Sequence, residues 1–308
     1  MKRVVSLLLA TLLSTSCASA SAKPPAPAKA AAPAAEAAVP QVLQLARPKG
    51  GEWFGLYVLG KKAGYAFFNL REGTYEGQRA IVEEGQVTLR ASVAGVETVR
   101  EVSDQRFYEY RDGGRLLAFR EERRGDGGDE ILIGRCTPQG IELLRKRPGV
   151  PDETRTLPPT GELVEHSDAP RLVARTRQTI EGVSVDLEQS LEDKTMTTSF
   201  ESEGTRVLAG VTVPVVRTRT TEERSNLAVI TTIAEDGRVL ELGFGEVMVG
   251  KAEEEKLAKR LDKVDLFNLT RVVLDRPISE AVRAGPAEVS FEVAGLGKDF
   301  QRESYRQR

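Results

Sequence analysis

Strand-like alternation of apolar and polar residues runs through most of the chain from Gly50 onward. Residues 53–59 are largely apolar, a Gly-Lys-Lys turn follows, and residues 63–70 are largely apolar again, which predicts a hairpin with a tight turn. Residues 229–244 predict a second hairpin, because Asp236 and Gly237 form a dipeptide typical of two-residue turns. The pattern therefore predicts a mainly β protein with antiparallel pairing.

Helical periodicity is confined to two short segments. Asp168 is expected to cap the first, which is predicted over residues 169–180 with Leu172 and Val173 on one face. The second is a charged helix over residues 252–261. Residues 148–168 hold four prolines and are expected to form a loop or crossover.

The predicted domain organisation follows from these breaks. Residues 50–262 are expected to form one β-rich domain, or two halves over 50–147 and 169–262. Residues 263–296 predict a small C-terminal β segment, and the polar residues 297–308 predict a frayed tail.

The first 17 residues have the pattern of a secretory signal peptide: a basic start, an apolar run over residues 4–13, and small polar residues before Cys17. A cysteine at this place predicts a bacterial lipoprotein that is cleaved before Cys17 and acylated on it. Ala18-Ser19-Ala20 also fits an ordinary signal-peptidase site, which would release a soluble periplasmic or secreted protein. Lipidation, with a membrane anchor facing the periplasm or cell surface, is the favoured interpretation.

Residues 18–49 predict a disordered tether between the anchor and the folded domain. They contain thirteen Ala and six Pro, so they have little apolar area to bury, and the prolines interrupt any continuous helix.

Charge and cysteine content narrow the classes of function. The formal net charge of the chain is −2, and no clustered basic face is evident, which argues against a nucleic-acid partner. Only Cys17 and Cys136 are present, so no disulfide framework is expected.

Three stretches together resemble a known family. They are residues 53–65, the hairpin at 229–244, and the run through 265–267, 272–278 and 289–296. Their order is similar to the N-terminal, non-catalytic region of bacterial exported proteins that carry a transglutaminase-like domain further on. The resemblance covers residues 52–296 and implies a build similar to periplasmic lipoprotein carriers, in which a large curved antiparallel sheet, a half-barrel or sandwich, wraps a helix.

No catalytic residue of that family can be carried over to this chain. A transglutaminase-like domain needs a Cys nucleophile, a His base and an Asp orienter, and only Cys136 and His166 are candidates here. Cys136 has the setting of a packing cysteine at a strand end. His166, with Glu165 and Asp168 beside it, is a weak metal motif, so neither a metal nor a cofactor is expected.

Trp53, Tyr65, Phe67 and Phe68 are the candidate lining of an apolar ligand pocket, with packing inside the first hairpin as the alternative. Three functional hypotheses remain open. The first is a non-catalytic envelope lipoprotein that acts as an accessory or binding module for a protein partner or an apolar ligand. The others are a carrier of a lipid or lipoprotein acyl chain, and a truncated fragment of a transglutaminase-like enzyme.

Overall fold

A computed structural model describes residues 38–93, 96–126, 128–187, 191–223, 228–245 and 247–265. The signal peptide, Cys17, most of the predicted tether and almost all of the predicted C-terminal segment and tail lie outside these residues. The described part confirms the mainly β fold: one 14-stranded antiparallel sheet with short helical segments. No helix in these ranges is long and apolar enough to span a membrane.

The strands follow the predicted alternation of apolar and polar positions. They are β1 (Glu52–Val58), β2 (Lys61–Tyr75), β3 (Gln78–Val93), β4 (Val96–Glu109), β5 (Leu116–Gly125), β6 (Glu130–Thr137), β7 (Gly140–Arg147), β8 (Val150–Leu157), β9 (Ile180–Val185), β10 (Asp193–Leu208), β11 (Val211–Glu222), β12 (Ala228–Ala234), β13 (Val239–Phe244) and β14 (Met248–Glu253). Both predicted hairpins are present, as β1–β2 and β12–β13.

The strand order places the first and last described strands side by side in the middle of the sheet. From one edge it runs β8 to β1, and from there β14 back to β9 at the other edge. β1 pairs with β14 from Trp53 opposite Glu253 to Val58 opposite Met248. The two predicted halves are therefore parts of one continuous sheet.

The connection between the two edge strands requires the sheet to curve. Thirteen interstrand spacings of about 4.8 Å would put β8 and β9 about 62 Å apart in a flat sheet. The connecting residues 158–179 include two helices, and with those helices formed the segment reaches only about 55 Å. The sheet curls accordingly, and Val185 of β9 shares a buried apolar cluster with Leu132 of β6 and Leu143 of β7.

The helices of the connection lie inside this curve. They are α1 (Val164–Ser167) and α2 (Ala169–Thr176), and Val164, Leu172 and Val173 are buried. α2 ends earlier than predicted: Arg177 adopts a left-handed conformation and donates its N–H to the Val173 carbonyl at 2.8 Å. Ile180, expected on the helix, begins β9 instead.

Three other segments differ from the sequence-based expectations. The second predicted helix is limited to α3 (Glu255–Ala258). Part of the proline-rich region forms β8, an edge strand that tolerates Pro151. A 3₁₀ turn (Gln41–Gln44) lies within the predicted tether, and Val42 and Leu45 on either side of its end join the buried cluster, so the folded part begins before Gly50.

Candidate functional site

A cavity of about 220 Å³ lies on the concave side of the sheet, between the connecting segment and strands from both halves. Much of its wall is apolar. The apolar side chains include Phe54, Phe68, Met196, Val239, Leu242 and Phe244. They come from β1, β2, β10 and β13, so the cavity exists only when both halves of the sheet have formed.

One end of the cavity is polar and is built around Tyr108 of β4. Its hydroxyl oxygen lies 2.8 Å from Oε1 of Glu162 and 3.0 Å from Oε2 of Glu83. Glu162 also accepts hydrogen bonds from Nη1 of Arg106 and, at 2.8 Å, from the backbone N–H of Val185. All four side chains are buried, and Arg106 is 0% exposed.

The hydrogens available for these hydrogen bonds show which of the two carboxyl groups is protonated. A tyrosine hydroxyl carries a single hydrogen, so it can donate to only one of the two carboxyl groups. Glu162 is the ionised partner because it pairs with Arg106. Glu83 then donates its own hydrogen to the Tyr108 oxygen, which requires a neutral Glu83.

The electrostatic surroundings agree with this assignment. Burial, opposed by the nearby Arg106 and reinforced by Glu162, raises the pKa of Glu83 to about 8. Burial alone would lower the pKa of Arg106, but Glu162, Tyr108 and Glu83 together outweigh it and the pKa rises. The cluster at neutral pH is thus one ion pair, one neutral acid and one phenol.

A second ionic network holds the connecting segment over the cavity. Asp168 accepts from Arg47 at 2.7 Å and from Arg171 at 3.0 Å, and Arg171 also pairs with Glu52 of β1. The Nε of Arg171 donates to the Gly237 carbonyl at 2.7 Å. Asp168 makes no side-chain capping bond to α2, contrary to the prediction, because its carboxylate is engaged by these guanidinium groups.

His166 covers the free edge of β9. Its Nδ1 lies 3.1 Å from the Val183 carbonyl oxygen and 3.3 Å from the Val183 nitrogen. The imidazole lies against Gly182, where an added Cβ would come within 2.0 Å of the ring. His166 therefore has a structural contact that the sequence did not indicate.

The four aromatic residues expected to line one pocket lie on two faces of the sheet. Phe68 lines the cavity. Trp53, Tyr65 and Phe67 point to the opposite face, where the rings of Trp53 and Phe67 are 4.7 Å apart and Lys259 lies over Trp53 at 4.3 Å. The separation follows from the two-residue period of a strand, which sends Phe67 and Phe68 to opposite sides.

Cys136 on β6 packs against the buried apolar cluster and does not line the cavity. Burial raises the pKa of its thiol to about 12, so almost no thiolate forms at neutral pH. Within the described ranges no hydrogen bond joins Cys136 to His166, and no group of three or more His, Cys, Asp or Glu residues is placed to hold a metal ion.

The polar end of the cavity was not predicted from the sequence. Two of its residues occupy inward strand positions: Glu83 alternates with Ile81 and Val87 on β3, and Arg106 lies between the buried residues Asp104 and Tyr108 on β4. A charged residue in the apolar phase of a strand was the available signal.

Comparisons with known proteins add little to this picture. No protein-family model matches the chain, and no curated protein matches it. Among solved structures, the chain is similar to a beta-barrel-like protein of the domain of unknown function DUF1849 from Brucella abortus, with a TM-score of 0.45 and 10% sequence identity. That match covers 66% of this chain and 95% of the other.

Proposed function

We propose that the chain is a non-catalytic binding protein of the cell envelope, which holds a small amphiphile in its internal cavity. The observation that carries this proposal is the form of the cavity: apolar walls from both halves of the sheet, and a buried polar cluster at Glu83 and Tyr108. Ligand sites of soluble proteins commonly combine apolar walls with a few placed polar groups. The apolar part of the ligand lies along Phe54 and Phe244, and its polar group faces Tyr108.

The size of the cavity limits the ligand. An apolar protein cavity of roughly 150 Å³ accepts benzene, so by proportion one of about 220 Å³ accepts about nine non-hydrogen atoms. A medium-length chain, or the end of a longer acyl chain, has this size. A carrier of lipid or lipoprotein acyl chains is the form of the proposal that the apolar walls favour.

Native mass spectrometry of the purified protein tests binding directly. We expect added mass from a bound amphiphile, removed by delipidation and restored by adding octanol. Ala169→Leu introduces a larger side chain from α2 into the cavity and should abolish the added mass. Arg175→Leu places the same side chain on an exposed position of α2 and should leave binding intact. Equal binding by both variants would contradict the proposed cavity.

Export and anchoring are the second part of the proposal, and they rest on the pattern ending at Cys17. The intact mass of the mature protein separates the alternatives: an acylated N-terminal Cys17, or an unmodified chain that starts after Ala20. Incorporation of labelled palmitate that is lost in Cys17→Ser supports the anchor, and an unmodified soluble product contradicts it.

The resemblance to regions that precede transglutaminase-like domains suggests that the protein acts beside such an enzyme. The candidate nucleophile of this chain argues against acyl-transfer activity, because Cys136, with a pKa of about 12, is a poor nucleophile. Acyl-transfer activity that disappears in Cys136→Ala would contradict the non-catalytic assignment.

A further inference from the structure

Glu83 has an oxygen left for a ligand at the polar end of the cavity. The side chain is 6% exposed and lines the cavity. Its Oε2 is used by Tyr108, whereas Oε1 makes no hydrogen bond among the described residues. Both oxygens of the neighbouring Glu162 already accept hydrogen bonds.

The direction of the hydrogen bonds defines what Oε1 can do. The acid hydrogen of Glu83 is on Oε2, because Tyr108 donates its only hydrogen to ionised Glu162 and must accept one from Glu83. Oε1 is therefore the carbonyl oxygen of a neutral acid. A carbonyl oxygen accepts hydrogen bonds and donates none, so its ligand must bring a hydrogen.

The other charges around the cavity are paired with one another. Arg106 and Glu162 form an ion pair, and His166 is engaged with the backbone of β9. The remaining charged residues that line the cavity form the network of Arg47, Glu52, Asp168 and Arg171. A charged ligand head would thus enter a site of low dielectric without a counter-charge, at a large cost in desolvation.

We propose that the polar end of the cavity selects an uncharged hydrogen-bond donor, the hydroxyl group of a medium-chain alcohol or of a comparable neutral lipid, through Oε1 of protonated Glu83. The inference rests on the proposed binding function and names the class of head group. It excludes carboxylates, whose oxygens would face the Oε1 acceptor, and it disfavours ammonium groups as long as Glu83 is neutral.

Isothermal titration calorimetry with octanol, octanoate and octylamine tests the head-group preference. Near pH 6, where Glu83 is neutral, we expect octanol to bind at least roughly tenfold more tightly than either charged ligand. Near pH 9, where Glu83 is ionised, octylamine should gain affinity because its ammonium group meets a carboxylate.

Two variants assign these effects to Glu83. Glu83→Gln keeps a carbonyl acceptor and an N–H donor to Tyr108, so it should bind octanol as the wild type does near pH 6, and octylamine should gain nothing near pH 9. Glu83→Leu removes the acceptor and should weaken octanol binding roughly tenfold. Glu84→Gln, on the adjacent outward position, should reproduce the wild type at both pH values.

The possible failures are distinguishable. If none of the three ligands binds the wild type at either pH, the proposed function itself is contradicted. If the ligands bind but octanol has no advantage near pH 6, or if Glu83→Gln weakens octanol binding there, only the selection by protonated Glu83 is overturned.

Discussion

The neutral state of Glu83 has a cost in stability that can be measured without any ligand. In the folded protein its carboxyl group has a pKa raised to about 8, against 4.5 for the same group in an unperturbed setting. The folded state therefore keeps a proton that the unfolded state releases. Stability from this group is complete below about pH 4.5 and is lost as the pH rises to about 8.

The size of the effect follows from the shift. A difference of about 3.5 pKa units at about 1.36 kcal/mol per unit gives about 5 kcal/mol in total. Glu83→Gln removes this dependence, because the amide is neutral in both states and still donates to Tyr108. The free energy of unfolding of the variant minus that of the wild type should therefore increase by about 4 kcal/mol as the pH rises from about 5 to about 9.

Urea unfolding at a series of pH values measures this difference, provided that both proteins keep the same dependence on urea concentration. Other titrating groups cancel in the comparison. Glu84→Gln is the matched control: a hydrogen bond from Arg71 lowers the pKa of Glu84, so this carboxyl is ionised in both states throughout that pH range. Its difference from the wild type should stay constant. Parallel pH curves for Glu83→Gln and the wild type would refute the reasoning.

Three further predictions concern other residues. Gly182→Ala should destabilise the fold by about 1–3 kcal/mol in urea unfolding, because the new methyl group meets the His166 ring, whereas Gly204→Ala, with open space around it, should not. Arg106→Met should cost about 3 kcal/mol by the same measurement, since it leaves a buried carboxylate without its partner; an unchanged stability would contradict the ion pair. At about pH 8, the Cys136 thiol should react with iodoacetamide about a thousandfold more slowly in the folded protein than in urea, and equal rates would contradict its raised pKa.

Local patterns predicted the strands well because the alternation of apolar and polar residues lies within each strand's own sequence. The hairpins around Gly60 and Gly237 were recognisable from turn residues next to apolar runs, and the structure has both. The helix after Asp168 was found for the same reason, although its end was not. The helix ends at Arg177 in a left-handed backbone conformation that is uncommon for arginine. The residue type at this position therefore did not indicate the end of the helix.

The cavity could not be predicted in the same way, because its walls come from strands far apart in the sequence. Phe68 was included among the candidates, but its neighbours in the chain belong to the other face. Which distant residues meet Phe68 depends on the pairing of β1 with β14 and on the curl of the sheet. Glu83 was visible as a charged residue in an apolar phase, but Glu162, which shares the Tyr108 hydroxyl with it, lies in a connecting segment without periodicity.

The pairing of β1 with β14 has a consequence for synthesis. β1 cannot pair with β14 until Glu253, which lies two hundred residues after its partner Trp53, has been synthesised. Contacts between such distant residues make folding slow, since a long loop of chain must be closed first. The middle of the sheet therefore cannot join before Glu253 has left the ribosome, whereas a local hairpin such as β1–β2 can form earlier.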